Sequence, residues 1–342
     1  MATKVAIAMS GGVDSSVAAA LLLEQGYECM GLYMDLWEGS NEKPAREIAK
    51  KLGIEFYKIR LRSKFKKEVI NYYLESYVKG ETPNPCVVCN PRIKFGELFK
   101  KARELGCEKL ATGHYARIMG KELRKGADEK KDQSYFLYRL SQKQLSKILF
   151  PLGDKNKTET RRIAGKLGLE IVQNKEESQG ICFISDKFYT DFLKKHLPAE
   201  YFKPGLIKDI EGNKLGRHKG LPYYTNGQRK GIGVGGPGGP YYVIKLDHGS
   251  NELIVGKDED LWHKRVYARD LSFISGETPK KPQKIHARIR HLGKLELGTL
   301  EVKGGRAIVT FAKPVRAFTG GQSIVFYDGE QVLGGGIMEL EK

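Results

Sequence analysis

The 342-residue sequence lacks any apolar run approaching the roughly 20 residues that a membrane-spanning helix needs. Runs such as Val17 to Leu23 are far shorter, and no signal-peptide layout precedes them, so a cytoplasmic protein with no membrane attachment is expected. Cysteine is scarce. Cys29, Cys86, Cys89, Cys107 and Cys182 are too few and too unevenly placed for a secreted disulfide scaffold, and in a reducing compartment clustered cysteines point to metal or catalysis. Acidic residues are also in deficit: 41 Asp and Glu against 59 Lys and Arg leave a net charge of +18, a field that attracts polyanions. A Lys- and Glu-rich surface suited to solubility or heat would give the same balance, so charge alone leaves nucleic acid and plain solvation equally open. Repeats and low-complexity tracts are absent. Hydrophobic content of 40% supports packed cores, and a prior of about 150 residues per domain suggests two or three units.

Along the chain, Lys4 to Met9 has a buried-strand pattern, Ser15 to Gln25 that of an apolar helix closed by Gly26, and Glu28 to Asp35 that of a second strand. Ala45 to Leu52 reads as helix, Ile54 to Leu61 as strand, Lys64 to Val78 as a long helix, Thr82 to Asn90 as loop, Ile93 to Leu105 as helix and Glu108 to Thr112 as strand. Ser141 to Leu149 and Lys157 to Leu167 add helical patterns. This alternation implies an α/β doubly wound parallel sheet. From Pro198 to Pro204 onward glycine becomes frequent and turn dipeptides such as Asn226-Gly227 and Asp328-Gly329 appear, so only short strands are expected, in two small β-rich domains. The expected division is residues 1–200, 201–262 and 263–342, the last barrel-like.

Ser10-Gly11-Gly12-Val13-Asp14-Ser15-Ser16 lies directly between the first strand and the first helix. Glycines there let the backbone approach an anion, helix N-terminal amides and the hydroxyls of Ser10, Ser15 and Ser16 can bind phosphate oxygens, and Asp14 can hold magnesium through carboxylate oxygen. Neither the lysine-containing P-loop nor the spaced-glycine dinucleotide fingerprint is present. A serine-capped glycine turn is also an ordinary helix start, but three hydroxyls and a carboxylate within seven residues make that the weaker reading.

The segment resembles the signature of the ATP pyrophosphatases, the adenine nucleotide alpha hydrolase-like fold, whose members cleave ATP between the α and β phosphates. Thr82 to Asn90, Ala111-Thr112-Gly113-His114-Tyr115, Lys131 to Leu137 and Gly180-Ile181-Cys182-Phe183 narrow it, resembling blocks of the bacterial tRNA-specific 2-thiouridylases. Thr225 to Gly231 and Arg316 to Gln322 extend the resemblance over essentially the whole chain. It implies ATP contact by Ala8, Met9, Ser10, Gly11, Gly12, Val13, Asp14, Ser15, Met34 and Gly113, with Mg²⁺ at Asp14. It also implies tRNA contact by Asn84, Pro85, Cys86, His114, Lys131, Asp132, Gln133, Arg290, His291 and Gln322, the first three against the target base. The tRNAs expected are those for Lys, Glu and Gln, with a sulfur-donor protein or sulfide as further partner. Without the resemblance, a core methionine at 34, a turn glycine at 113 and a structural histidine at 114 would be the plainer readings.

By the same resemblance the catalytic pair is Cys182, which takes up sulfur as a persulfide, and Cys89, which assists its release by disulfide formation. Cys29 and Cys107 match no block and read as small core residues. Cys86 stands where much of the family has Asp. It creates Cys86-x-x-Cys89, and with Cys182 three thiolates could hold a [4Fe-4S] cluster, which leaves cluster and persulfide open against each other. Two rival functions are a small-molecule adenylating synthetase on the same fold, which leaves Cys182 and the basic C-terminal half unexplained, and a non-catalytic RNA-binding protein, which leaves the phosphate loop unexplained.

Overall fold

The computed structural model describes residues 2–169, 180–184, 189–235, 239–316 and 318–340. Strands β1 (Lys4–Ala8), β2 (Glu28–Asp35), β3 (Glu55–Arg60), β4 (Lys109–Ala111) and a short strand, Ile148–Leu149, form a parallel sheet in the order β3-β2-β1-β4 and then Ile148–Leu149. Consecutive residues of β1 enter opposite faces. Val5 and Ile7 pack with Val17, Ala18 and Leu22 of helix α1 (Val13–Glu24), while Ala6 joins Phe65, Phe95 and Leu98 on the other side. All three strand residues are fully buried, which is why β1 reads as a continuous apolar run rather than an alternating one.

Three readings need correcting. Thr82 to Asn90 is loop only as far as Pro85, because Cys86–Cys89 is already the first turn of a helix that continues to residue 104. Asn90–Leu98 within it is wound as a π-helix; Pro91 has no N–H to give the Val87 carbonyl and its ring crowds it, so the turn widens there. Ser141 to Leu149 is not one helix. Ser141 caps a single turn, Gln142–Leu145, with a reciprocal bond to Gln144, and Ile148–Leu149 then pairs with β4, strand pairing overriding local helical spacing. The β segments are not all short either, since Trp262–Phe273 and Arg306–Arg316 span 12 and 11 residues.

A four-stranded sheet follows, from Gly205–Asp209, Lys214–His218, Tyr242–Asp247 and Glu252–Gly256. The C-terminal strands Trp262–Phe273, Gln283–Arg288, Glu296–Lys303, Arg306–Arg316, Ser323–Asp328 and Gln331–Glu339 pair antiparallel and close into a barrel, because Trp262–Phe273 bonds both Arg306–Arg316 and Gln331–Glu339. A hairpin that the sequence reading passed over, Ala116–Met119 with Glu122–Lys125, attaches to this barrel through Arg124 opposite Gln331. Its signal was present: Ile118 and Leu123 flank a Gly120-Lys121 turn with Gly120 at positive φ.

The nucleotide-type sheet and the barrel share one core, in which Tyr135, Leu137 and Tyr138 pack with Val325, Tyr327 and Val332. At its rim Asp132 is fully buried; Oδ1 accepts the amides of Gly126 and Ser134 at 3.1 and 3.0 Å, and Oδ2 accepts Arg288 Nη1 at 2.7 Å. Removing one partner of such a pair strands the other charge without its counterion. Asp132→Ala is therefore expected to lower stability by about 3–5 kcal/mol in urea denaturation at neutral pH. An unchanged midpoint would mean that the barrel is held by its apolar contacts alone.

Candidate active site

The chain leaves β1 at the sheet's carboxyl edge, between β2 and β4, where connections depart to opposite faces and a crevice opens. Gly11 has φ +73°, and a Cβ there would lie 2.9 Å from both Pro44 Cβ and Ala45 N, so only glycine lets the loop pass under helix α2 (Lys43–Lys51). Ser10 Oγ accepts the Gly12 amide at 3.3 Å and lies 3.2 Å from Ser15 Oγ. Ser15 and Ser16 donate to the Gly12 carbonyl at 3.1 and 2.8 Å. Ser16 is fully buried and closes the loop from behind, whereas Ser10 is exposed and Gly12 and Val13 are half-buried beside the free amides of α1. Of the three hydroxyls expected to meet phosphate, the third faces the wrong way.

Asp14 is engaged on both oxygens. Lys157 Nζ lies 2.7 and 3.0 Å from them, and the Tyr115 hydroxyl donates to Oδ1 at 2.9 Å. Lys157 begins the helix Lys157–Lys166, which Asn156 and Glu159 cap reciprocally. A lone carboxylate with oxygen donors suits magnesium, whose remaining shell would be phosphate oxygens and water, once Lys157 turns from Asp14 toward phosphate. Gly113 completes the wall: a Cβ there would meet the Asp14 carbonyl carbon at 2.7 Å and the Ser15 nitrogen at 2.8 Å. Met34 is half-buried at the carboxyl end of β2, on the same edge, while Ala8 is half-buried and Met9 buried where the chain leaves β1.

One residue beyond Gly113 lies a second centre. The Asn84 side chain accepts the Cys86 amide at 3.1 Å and turns the chain into the helix, placing Cys86 and Cys89 on one face at i and i+3. Pro85 is buried, and the Asn90 amide anchors the turn on the Phe136 carbonyl at 3.0 Å. From the next turns Lys94 reaches His114 Nε2 at 3.3 Å, and His114 Nδ1 lies 2.7 Å from Thr112 Oγ1. Burial first, then Lys94, pushes the His114 pKa well below its usual value, so the ring is neutral, with its proton on Nδ1 when Lys94 donates to Nε2.

All five cysteines are free. Burial pushes Cys89 up to about 12, with further upward contributions from Cys182 and Cys86, while Lys94 pulls it down. Cys182, exposed at the mouth yet ringed by enough protein for desolvation to dominate, stands at about 11 and feels Cys86 and Lys94. Cys86 is raised by burial and relieved by Lys94. The three thiols therefore share one electrostatic neighbourhood around one ammonium. Cys182 is placed by its neighbour: the Phe183 ring packs edge-on to Phe65 and Tyr73 at 5.4 and 5.7 Å and against Phe192 at 5.5 Å. Among the described residues no three His, Cys, Asp or Glu side chains are arranged to hold a metal ion. The ligand set for an iron–sulfur cluster is thus not assembled among the described residues in this geometry. Cys29 and Cys107 are buried in the apolar cores, as expected of core residues.

The residues expected to touch tRNA divide into two kinds. Arg290 is exposed and Lys131 half-buried. Others have structural work: Gln133 Oε1 accepts the Tyr115 amide at 3.1 Å, His291 Nε2 lies 3.0 Å from the Asp132 carbonyl with its ring 4.4 Å from Phe136, and Gln322 donates to the Thr82 carbonyl at 2.8 Å. The carboxylate of Asp132 is fully buried and paired with Arg288. Sequence reading missed Lys94, Lys157, Tyr115 and Phe183. Tyr115 and Phe183 sit in blocks already singled out and Lys94 follows one, whereas Lys157 only opens a helical pattern, and a lone Lys or aromatic carries no chemical signal until its neighbours are known.

A parallel sheet with a candidate phosphate loop at its switch point and a thiol centre beside it defines a nucleotide-using α/β enzyme with an appended four-stranded sheet and a β-barrel. Residues 3–186 match the family described as tRNA methyl transferase HUP domain, residues 190–257 the tRNA methyl transferase PRC-barrel domain, and residues 263–338 the aminomethyltransferase beta-barrel domain. A tRNA-specific 2-thiouridylase MnmA of Clostridioides difficile is 44% identical, covering 99% of each chain, and that of Moorella thermoacetica 46%, covering 97% of this chain and 98% of its own. The MnmA 1 of Caldanaerobacter subterraneus is 45% identical over 98% of both. The chain belongs to the tRNA-specific 2-thiouridylase family. Among the described residues no helix is long and apolar enough to cross a membrane.

Because Lys94 is the cation that lowers all three thiols, Lys94→Met should raise them further. Alkylation of Cys89 and Cys182 by iodoacetamide at pH 9 is expected to slow by roughly threefold to tenfold, since the thiolate is the reacting species. Peptide mass analysis reads both sites, and an unchanged rate would remove Lys94 from the thiol centre.

Proposed function

We propose that this protein adenylates the C2 oxygen of the wobble uridine of tRNA with ATP and replaces that oxygen by sulfur, giving 2-thiouridine, AMP and pyrophosphate. The observation that carries the reading is the one-residue separation of the two centres: Gly113 touches the phosphate loop at Asp14, and His114 touches the thiol centre through Lys94. A uracil carbonyl oxygen is a poor leaving group, and adenylation makes it a good one. Activation and sulfur delivery must therefore meet at one carbon, and adjacent centres permit that. Methyl transfer, named in two of the family descriptions, would leave both the phosphate loop and the thiols without work.

In this reading the base is turned out of its stack toward Asn84, Pro85 and Cys86, at a cost of a few kcal/mol that phosphate contacts with Lys131, Arg290 and the basic barrel surface offset. The amides of α1, Ser10, Ser15 and Lys157 receive the β and γ phosphates as they leave, and a magnesium ion held by Asp14 would neutralise them. The terminal sulfur of a Cys182 persulfide attacks C2 and AMP departs. Cys89, as thiolate, then attacks the Cys182 sulfur; the S–S bond to the base breaks, leaving 2-thiouridine and a Cys89–Cys182 disulfide that a reductant reopens. A protein-borne persulfide supplies the sulfur by passing its outer sulfur to the Cys182 thiolate and leaving as a thiol, while free sulfide enters only by attacking the Cys182 sulfur of the Cys89–Cys182 disulfide, which forms the Cys182 persulfide and releases the Cys89 thiolate. The tRNAs for Lys, Glu and Gln are the substrates.

Two assays test this. AMP should form only when tRNA is added, and Asp14→Ala should abolish it, by about a hundredfold or more, while tRNA binding persists. Normal ATP consumption by that variant, or AMP formation without tRNA, would overturn the reading, the latter in favour of a small-molecule ligase. Cys86→Asp, assayed anaerobically for 2-thiouridine, separates the sulfur carriers. The persulfide route predicts retained activity because Cys89 and Cys182 suffice, whereas a cluster ligated by Cys86 would be lost with it, hard oxygen suiting iron–sulfur chemistry poorly.

A further inference from the structure

The thiol helix is held from outside its own domain. Thr82, four residues before Cys86, has both backbone groups tied to the barrel's turn after Phe318: its amide donates to the Gly320 carbonyl at 2.9 Å, and its carbonyl accepts Gln322 Nε2 at 2.8 Å. Glu81 beside it receives Arg269 Nη2 on both carboxylate oxygens, at 2.7 and 2.9 Å, from the barrel strand Trp262–Phe273. The pair is partly buried, side-chain exposures being 29% for Arg269 and 21% for Glu81, so it is less screened than a surface ion pair. Arg269 is itself fixed, with Nε 3.9 Å from Glu339 on the neighbouring strand.

The contact is close enough to dictate sequence. Gly321 has φ +87°, and a Cβ on it would fall 2.6 Å from Glu81 Cβ and 3.0 Å from the Thr82 nitrogen. The turn is pinned in its turn to the barrel, Gly321 N donating to the Met338 carbonyl at 3.0 Å and Met338 N to the Gln322 carbonyl at 2.8 Å. Between Thr82 and Cys86 lie Pro83, Asn84 and Pro85, two of them with φ fixed by the ring and both of those buried. Such a segment bends little, so a displacement at Thr82 is passed to the first turn of the helix that carries Cys86 and Cys89.

We propose that the 319–322 turn and Arg269 are a positioning clamp through which tRNA seated on the barrel sets the placement of Cys86 and Cys89. This rests on tRNA being the substrate, as argued above. Gln322 is the shared member: one side chain holds the Thr82 carbonyl and belongs to the surface expected to meet RNA, so seating the RNA and placing the thiols are one event. Arg269 acts only through Glu81 and is a positioning residue.

The test uses the full-length protein and its tRNA. Arg269→Met should leave the tRNA dissociation constant within about threefold and lower kcat for 2-thiouridine by about tenfold to a hundredfold, with KM for tRNA little changed, because a small misplacement near reacting atoms is enough for such a loss. Alkylation of Cys89 by iodoacetamide, read by peptide mass, should change on adding tRNA to the wild type and become indifferent to it in the variant. The double variant Glu81→Arg with Arg269→Glu should restore both signals, and Arg269→Lys should restore part. Wild-type kcat with an intact alkylation response in Arg269→Met would overturn the clamp, as would parallel loss of tRNA affinity and kcat without rescue by the double variant. Alkylation without tRNA should already differ between Arg269→Met and wild type by about threefold or more, since the thiol helix is displaced. If tRNA proves not to be the substrate, that comparison alone still decides whether the clamp places the thiols.

Discussion

Much of this architecture depends on one buried ion pair. Asp132 and Arg288 meet at 2.7 Å where the turn leading out of the 116–125 hairpin meets the barrel, and the carboxylate's other oxygen is filled by two backbone amides. Burying two charges costs several kcal/mol of desolvation, so the pair is weak evidence for stability in itself. What it supplies is register. A hydrophobic contact between the 126–134 turn and strand Gln283–Arg288 would tolerate sliding, whereas a carboxylate with every oxygen spoken for has one solution. The Arg288 guanidinium also lies over the Tyr327 ring at 5.4 Å, and His291 bonds the Asp132 carbonyl. The positions of Arg290 and His291 relative to the nucleotide-type sheet follow from that lock.

The thiol centre shows how burial and charge divide the work. Apolar surroundings raise Cys86, Cys89 and Cys182 and depress His114, so near neutral pH the sulfurs hold their protons and the imidazole is uncharged. A centre of this kind resists stray oxidation, because the reactive thiolate is scarce. Lys94 is the opposing influence and acts through its charge on all three sulfurs from the π-wound part of the helix. That winding is a consequence of Pro91, so the amino acid directly after Cys89 and Asn90 shapes the backbone that carries the cation.

The sequence made the parallel sheet legible because its signals are local. Strand and helix alternate at the right lengths, and Gly11 and Gly26 stand where a positive φ is required. The candidate phosphate loop stood out for the same reason: three hydroxyls and a carboxylate fall within seven contiguous residues, Ser10 to Ser16. Failures occurred where meaning is non-local. Ile148–Leu149 becomes strand only because β4 offers a free edge, and Ala116–Met119 and Glu122–Lys125 serve a barrel whose other strands begin only at Trp262. Asp132 lay in a block expected to touch RNA, and only the position of Arg288, 156 residues away, shows the carboxylate turned inward. Lys94 and Lys157 were each one lysine among many until His114 and Asp14 gave them partners.

The two centres differ in how they treat charge, and that difference orders events. At the phosphate loop the carboxylate of Asp14 is already neutralised by Lys157, so the free site is balanced and a polyphosphate can enter by exchanging partners rather than by meeting a bare anion. At the thiol centre, among the described residues, Lys94 is bonded to the neutral His114 rather than to a carboxylate. The Lys94 ammonium favours whichever of the three sulfurs loses its proton first. In the reading proposed above, ATP settles at its loop by exchanging the Asp14 partner of Lys157 for phosphate, while the sulfur becomes nucleophilic beside Lys94, so adenylation precedes sulfur delivery because the two lysines have different partners.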